Sequence, residues 1–109
     1  APMTIDDAPP RLEALGNPTR LRIYRALVRA GEAGTSVGQL QDLLKVAPST
    51  LSHHLKALII VDLIAQERRG TTLICRANYA VMHGLIGFLA EECCAGSTCA
   101  EGPLALPAA

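Results

Sequence analysis

Apolar residues in this chain return mostly at intervals of three and four, the period of a helix buried along one side, and switch to alternation over one short stretch. Leu12 and Leu15 carry a short helical pattern behind Pro9 and Pro10 that stops at Gly16-Asn17. Pro18 suits the first position of a second helix, where Leu21, Tyr24, Leu27 and Val28 recur up to Gly31 and arginines occupy the other faces. Gly31 to Gly34 reads as a loop. Ser36 is a good N-cap for a short helix over 37–44, with Val37, Leu40 and Leu44 along one side. Pro48 then opens a helix whose buried stripe is Leu51, Leu55 and Leu58, leaving Ser49, Thr50, Ser52, His53 and Lys56 on exposed faces. Two short helices joined by the three residues Lys45-Val46-Ala47, the second presenting small polar and basic groups, make a helix-turn-helix pattern.

Asp62 tolerates a left-handed helix end, and beyond it the pattern alternates: a strand over 63–67, a turn at Arg68-Arg69-Gly70-Thr71, and a strand over 72–76. This is a two-stranded wing with a basic tip. Asn78 can cap a last helix running from Tyr79 to about Cys93. Its Val81, Met82, Leu85, Ile86, Phe88 and Leu89 spread over too wide an arc for one amphipathic face, so the helix needs cover on two sides. A partner subunit would supply it. Leu12, Leu15, Val81, Met82, Leu85, Ile86 and Leu89 are the expected homodimer interface. The predicted fold is mainly α with a small β-hairpin, in the order α-α-α-α-β-β-α. One domain spans 1–109, Ala1-Pro2 ahead of Met3 being an expected added remnant and 95–109 a flexible tail.

Composition narrows this picture. Half the residues are apolar, with no Trp, one Phe and two Tyr, so the core must be built from Leu, Ile, Val and Ala. A monomer of this length buries only about two-thirds of its unfolded surface, which again favours a dimer. The longest apolar run, 57–61, is far short of a membrane span, and no signal-like stretch opens the chain; a bacterial cytoplasmic protein without membrane contact is expected. Net charge is zero but uneven. All ten Lys and Arg lie between Arg11 and Arg76 with only five acids among them, and the other five acids sit at the two ends. A basic middle permits polyanion binding. No nucleophile, base and orienting acid stand out together, so an enzyme is not expected.

The order of elements resembles the ArsR/SmtB family of winged-helix metal-responsive repressors, over residues 12–94. The most specific stretch is "VAPSTLSHHLKAL", residues 46–58, supported by "ALGNPTRLRIYRAL", residues 14–27, and by the Arg-Arg-Gly wing. Lys45 and Asp62 stand where the family usually has Gly, and Ile59-Ile60 replaces a commonly charged pair. The resemblance implies double-stranded operator DNA with an inverted repeat as partner. Ser49, Thr50, Ser52 and His53 would read base edges in the major groove, while Lys56, Arg68 and Arg69 would neutralise phosphates, with Arg20 a lesser candidate. Capping for Ser49, a solvated imidazole for His53 and an ordinary charged hairpin for the arginines are the plain alternatives. Two adjacent histidines point about 100° apart on a helix, so His54 is expected to pack at the helix base.

Three of the four cysteines, Cys93, Cys94 and Cys99, close the last helix. The family's cysteine-rich motif before the recognition helix is absent, that place reading "TSVGQL". The last helix offers only His83. The trio is similar to the C-terminal vicinal cysteines of the arsenic-responsive branch. Thiolates sharing a small ion must lie within roughly 4 Å of each other, since each bond is about 2.3 Å. A continuous helix fails that test, and Gly96 is the expected break that lets Cys99 return. Three soft thiolates fit trivalent arsenic, with antimony(III) a near equivalent and no organic cofactor. The expected function is an arsenite-responsive repressor that leaves its operator when the ion binds. Alternatives of the same fold are a thiol redox sensor and a mercury or organoarsenical sensor. Cys75, alone in a strand, is expected to be a plain buried thiol.

Overall fold

The computed structural model describes residues 2–96, which fold into five helices and a small sheet. α1 spans Ala8–Leu15, α2 Pro18–Ala30, α3 Val37–Leu44, α4 Pro48–Ile60 and α5 Tyr79–Ala90. The strands are β1, Thr35–Ser36, β2, Ile64–Arg69, and β3, Thr72–Ala77. No helix among these residues is long and apolar enough to cross a membrane.

Local chemistry explains most of these boundaries. Asn17 Oδ1 accepts from the backbone N–H groups of Thr19 and Arg20 and so starts α2. Ser36 and Gln39 form a reciprocal capping box at the start of α3. Lys45 ends α3 in the left-handed region at φ 55°, and Asp62 follows α4 at φ 60°. Pro9 and Pro10 lie inside the first turn of α1 rather than ahead of it, where the missing N–H groups cost no helix bond.

The core sits where α2, α3, α4 and the sheet meet. Ile23, Leu27, Leu40, Leu51, Leu58, Leu63 and Cys75 are fully buried there. Each large aliphatic side chain contributes roughly 1.5–3 kcal/mol of burial. Cys75 is the plain buried thiol expected, and Gln66 Nε2 donates to its sulfur at 3.5 Å.

The sheet has the order β1-β3-β2, all antiparallel, so the wing is not a bare hairpin. β1 was not anticipated from the sequence. It exists because Gly34, at φ 74°, brings the chain against β3 so closely that a Cβ there would lie 2.5 Å from the Cys75 carbonyl oxygen. The wing turn is also tighter than the pattern suggested. Arg68 and Arg69 belong to β2, Arg69 faces Thr72 across the ladder, and the turn is Gly70-Thr71, with Gly70 at φ 62°.

α5 stops at Ala90, three residues before the expected end. Of the expected interface residues, Leu85 is only 5% exposed and is covered by the chain's own packing, which removes it as a free contact. Leu12 and Leu89 stand exposed, while Leu15, Val81, Met82 and Ile86 are half-buried.

Candidate functional site: a nucleic-acid interface and a thiol pair

α4 is amphipathic in a particular sense: Leu51, Leu55 and Leu58 fix one side into the core, and every candidate reader is on the other. Ser49, Thr50, Ser52, His53 and Lys56 are all exposed. Pro48 supplies the first helical position, so the small polar residues fall in the first two turns, the part of a groove-lying helix that meets base edges. The side chain of Ser49 makes no cap bond to the helix start, where Ala47 is the N-cap. His54 faces inward as expected, 9% exposed, its ring 5.5 Å from that of His53.

The wing separates two arginines that look equivalent in sequence. Successive strand residues point to opposite faces, so Arg69 shares a face with Glu67 and Arg76 while Arg68 does not. Glu67 Oε1 accepts from Arg69 Nε at 2.7 Å and from Arg76 Nη2 at 3.1 Å. These hydrogen bonds, Arg76 first, hold the Glu67 carboxyl below its ordinary range. Arg76 Nε also donates to the Glu32 carbonyl at 2.8 Å, tying the wing to the loop before β1. Arg68 has no ion pair among the described residues and is the freer cation. Arg20, the lesser phosphate candidate, is turned inward: its Nε donates to His54 Nδ1 at 3.2 Å.

The cysteines lie just beyond the end of α5. After Ala90 the chain continues in three-residue turns, with Cys93 N–H donating to the Ala90 carbonyl and Ala95 N–H to that of Glu92. Cys94 takes the left-handed conformation, φ 59°. Gly96, the residue expected to do so, does not. The consequence is geometric. Adjacent side chains that a continuous helix would splay are brought to an Sγ–Sγ distance of 3.7 Å, on an exposed surface. Two sulfurs at that separation could share one thiophilic ion once the disulfide that holds the Cys94 sulfur is reduced. Cys99 lies outside the described residues, and among those described no three His, Cys, Asp or Glu side chains gather as a metal site.

Comparison with known proteins settles the family. A helix-turn-helix domain model matches residues 15–67. The chain is 36% identical over 84 residues to the arsenical resistance operon repressor of Bacillus subtilis (strain 168), covering 77% of this chain and 75% of that one. The chain belongs to the ArsR family. Two solved structures agree. An ArsR-like transcriptional regulator from Rhodococcus sp. RHA1 superposes with a TM-score of 0.68 at 26% identity, covering 77% of this chain and 76% of that one. A homodimeric winged helix-turn-helix DNA-binding domain from Mycobacterium bovis, a possible ArsR-family regulator, gives 0.63 at 26% identity, covering 81% and 82%. This ArsR-family protein is a DNA-binding transcriptional regulator and not an enzyme.

Proposed function

We propose that the protein is a repressor that binds inverted-repeat operator DNA as a homodimer and leaves it when trivalent arsenic, or antimony, is held by Cys93, Cys94 and Cys99. The observation that carries this reading is the pair of exposed sulfurs 3.7 Å apart just beyond α5, which become a ligand pair when the disulfide at Cys94 is reduced. The 36% identity to an arsenical resistance operon repressor supports the same inducer class. Soft thiolates prefer soft ions. Ser49, Thr50, Ser52 and His53 would read bases; Lys56, Arg68 and Arg69 would meet phosphates. Leu12, Leu15, Val81, Met82, Ile86 and Leu89 would form the dimer face. A groove of about 850 Å³ between α2 and α5, lined by Leu15, Leu21, Val28, Met82 and Ile86, leaves apolar surface there for a second copy to cover.

The cysteines follow α5 and the candidate readers are on α4, so release is a coupling between two sites, typically about 1–3 kcal/mol. The test begins by enriching a duplex from a random-sequence library with the reduced protein. Arsenite, antimonite, zinc, cadmium and mercury are then titrated onto the labelled complex. Arsenite and antimonite should release the DNA, and Cys93→Ser, Cys94→Ser and Cys99→Ser should each abolish release. Arsenite binding with unchanged DNA affinity would overturn the proposal. Removing a phosphate cation should lower the dependence of log affinity on log salt by about one.

One observation favours a second reading. The Cys94 sulfur stands in a disulfide, as a thiol redox sensor would require. Release by peroxide without any ion, lost in only two of the three serine variants, would select it.

A further inference from the structure

α4 carries one buried polar side chain among the described residues, His54. Its Nδ1 accepts a hydrogen bond from Arg20 Nε at 3.2 Å, across from the start of α2. The same guanidinium donates through Nη1 to the carbonyl of Ala14, near the end of α1, at 3.4 Å. The Arg20 backbone N–H is itself fixed by Asn17. At the opposite end of α2, Tyr79 Oη donates to the Val28 carbonyl at 2.8 Å, which ties α2 to the start of α5. α2 is therefore hydrogen-bonded to α5 at one end and, through Arg20, to α1 and α4 at the other.

The chemistry of this contact is one-sided. Arginine only donates, so Nδ1 must keep its lone pair and the proton of neutral His54 belongs on Nε2. An imidazolium has no acceptor to offer, and would place a second cation 3.2 Å from the first. The charged and titratable groups around His54 are Arg20 from α2 and His53 on α4 itself, while Glu13 of α1 lines the same cleft as Arg20. Burial first, then the Arg20 charge and His53, lower the His54 pKa.

We propose that Arg20 is a positioning residue for the DNA-reading helix, acting through His54, and that the contact holds α4 at its binding angle only while His54 is neutral. The inference rests on the reading of α4 as the DNA helix. As the pH falls below the ordinary histidine range the unfolded chain takes the proton first. That lowers the stability of the fold; the contact itself breaks only at the lower pH where native His54 takes the proton, and duplex affinity falls there. Protonation of exposed His53 acts in the opposite sense, adding a cation where phosphates would lie.

The test measures affinity for the library-enriched duplex by fluorescence anisotropy between pH 7.5 and 4.5, for the reduced wild type, His54→Asn and Arg20→Gln. Asparagine presents an oxygen near the place of Nδ1 and does not titrate, and both chains keep His53, so their difference isolates His54. Wild-type affinity should fall at least tenfold more than that of His54→Asn over this range. Arg20→Gln should bind about tenfold more weakly at pH 7.5, with a flattened pH profile and an unchanged salt dependence. Parallel pH profiles for wild type and His54→Asn would overturn the proposal. So would a salt dependence reduced by about one in Arg20→Gln, the mark of a direct phosphate contact. If Arg20→Gln does not fold, the first comparison decides alone. Failure of wild type to enrich any duplex at pH 7.5 would instead refute the DNA role of α4.

Discussion

The two ends of this molecule are built in opposite ways. The proposed DNA-reading end has each exposed candidate reader backed by a buried residue of the same helix: Leu51, Leu55 and Leu58 on α4 are 0, 3 and 0% exposed. The wing beside it is pinned by Arg76, which reaches both Glu67 and the Glu32 carbonyl. The cysteine end has no buried residue after Leu85 among the described residues, and its chain is held by three-residue turns on an exposed surface and by the disulfide at Cys94. A reading surface has to keep its shape before DNA arrives, so its shape is carried by the core. A soft-ion site can take its final form from the bonds to the ion, so it needs little support beforehand.

This contrast can be broken at several points. Leu58→Ala, at the centre of the core under α4, should cost about 2–5 kcal/mol in chemical denaturation and weaken duplex binding only in proportion to the unfolded fraction. A loss below 1 kcal/mol would mean the reading end does not depend on the core. Gly34→Ala meets both a left-handed backbone and the Cys75 carbonyl. Roughly 2–4 kcal/mol should be lost, with β1 released from β3, readable as faster amide exchange at Thr35, which faces Cys75 in the ladder.

Tyr24→Phe tests the same region with the opposite sign. The Tyr24 hydroxyl is buried with no hydrogen-bond partner among the described residues, and burial, ahead of the neighbouring Tyr79, pushes its pKa up to about 12. Its removal should be neutral or stabilising by about 1 kcal/mol; a clear loss would reveal a partner. The smallest effect belongs to the thiol end. Cys93→Ser should change stability by less than about 0.5 kcal/mol, as for other exposed sites, while abolishing the response to arsenite. A larger loss of stability would place the cysteines in the folded framework.

Much of the reading end was legible in the sequence because its signals are local. Ser36, Pro18 and Pro48 mark helix starts through short-range bonds and fixed dihedrals, and the three-and-four spacing of Leu residues names the buried side of α4. The inward turn of His54 follows from the same spacing. Less legible was anything that depends on a neighbour distant in sequence. β1 pairs with a strand about forty residues away, and a two-residue strand has no pattern of its own. The different situations of Arg68 and Arg69 come from a register that places Glu67 and Arg76 on one face. Arg20, a surface cation by its position in sequence, is turned inward by a histidine 34 residues away.

At the thiol end the sequence determined which residues are present and that a continuous helix could not join them. It did not determine where the break falls. Glycine is the cheapest left-handed residue, so Gly96 was the natural candidate, yet α5 ends six residues earlier and Cys94 turns instead. Local propensities therefore chose the elements and their buried faces, since bonds within a turn or two of helix decide those. Only the tertiary structure decided which cations are free, which histidine is held, and that two adjacent sulfurs meet, because each depends on groups that the chain brings together from elsewhere or on where packing lets a helix stop.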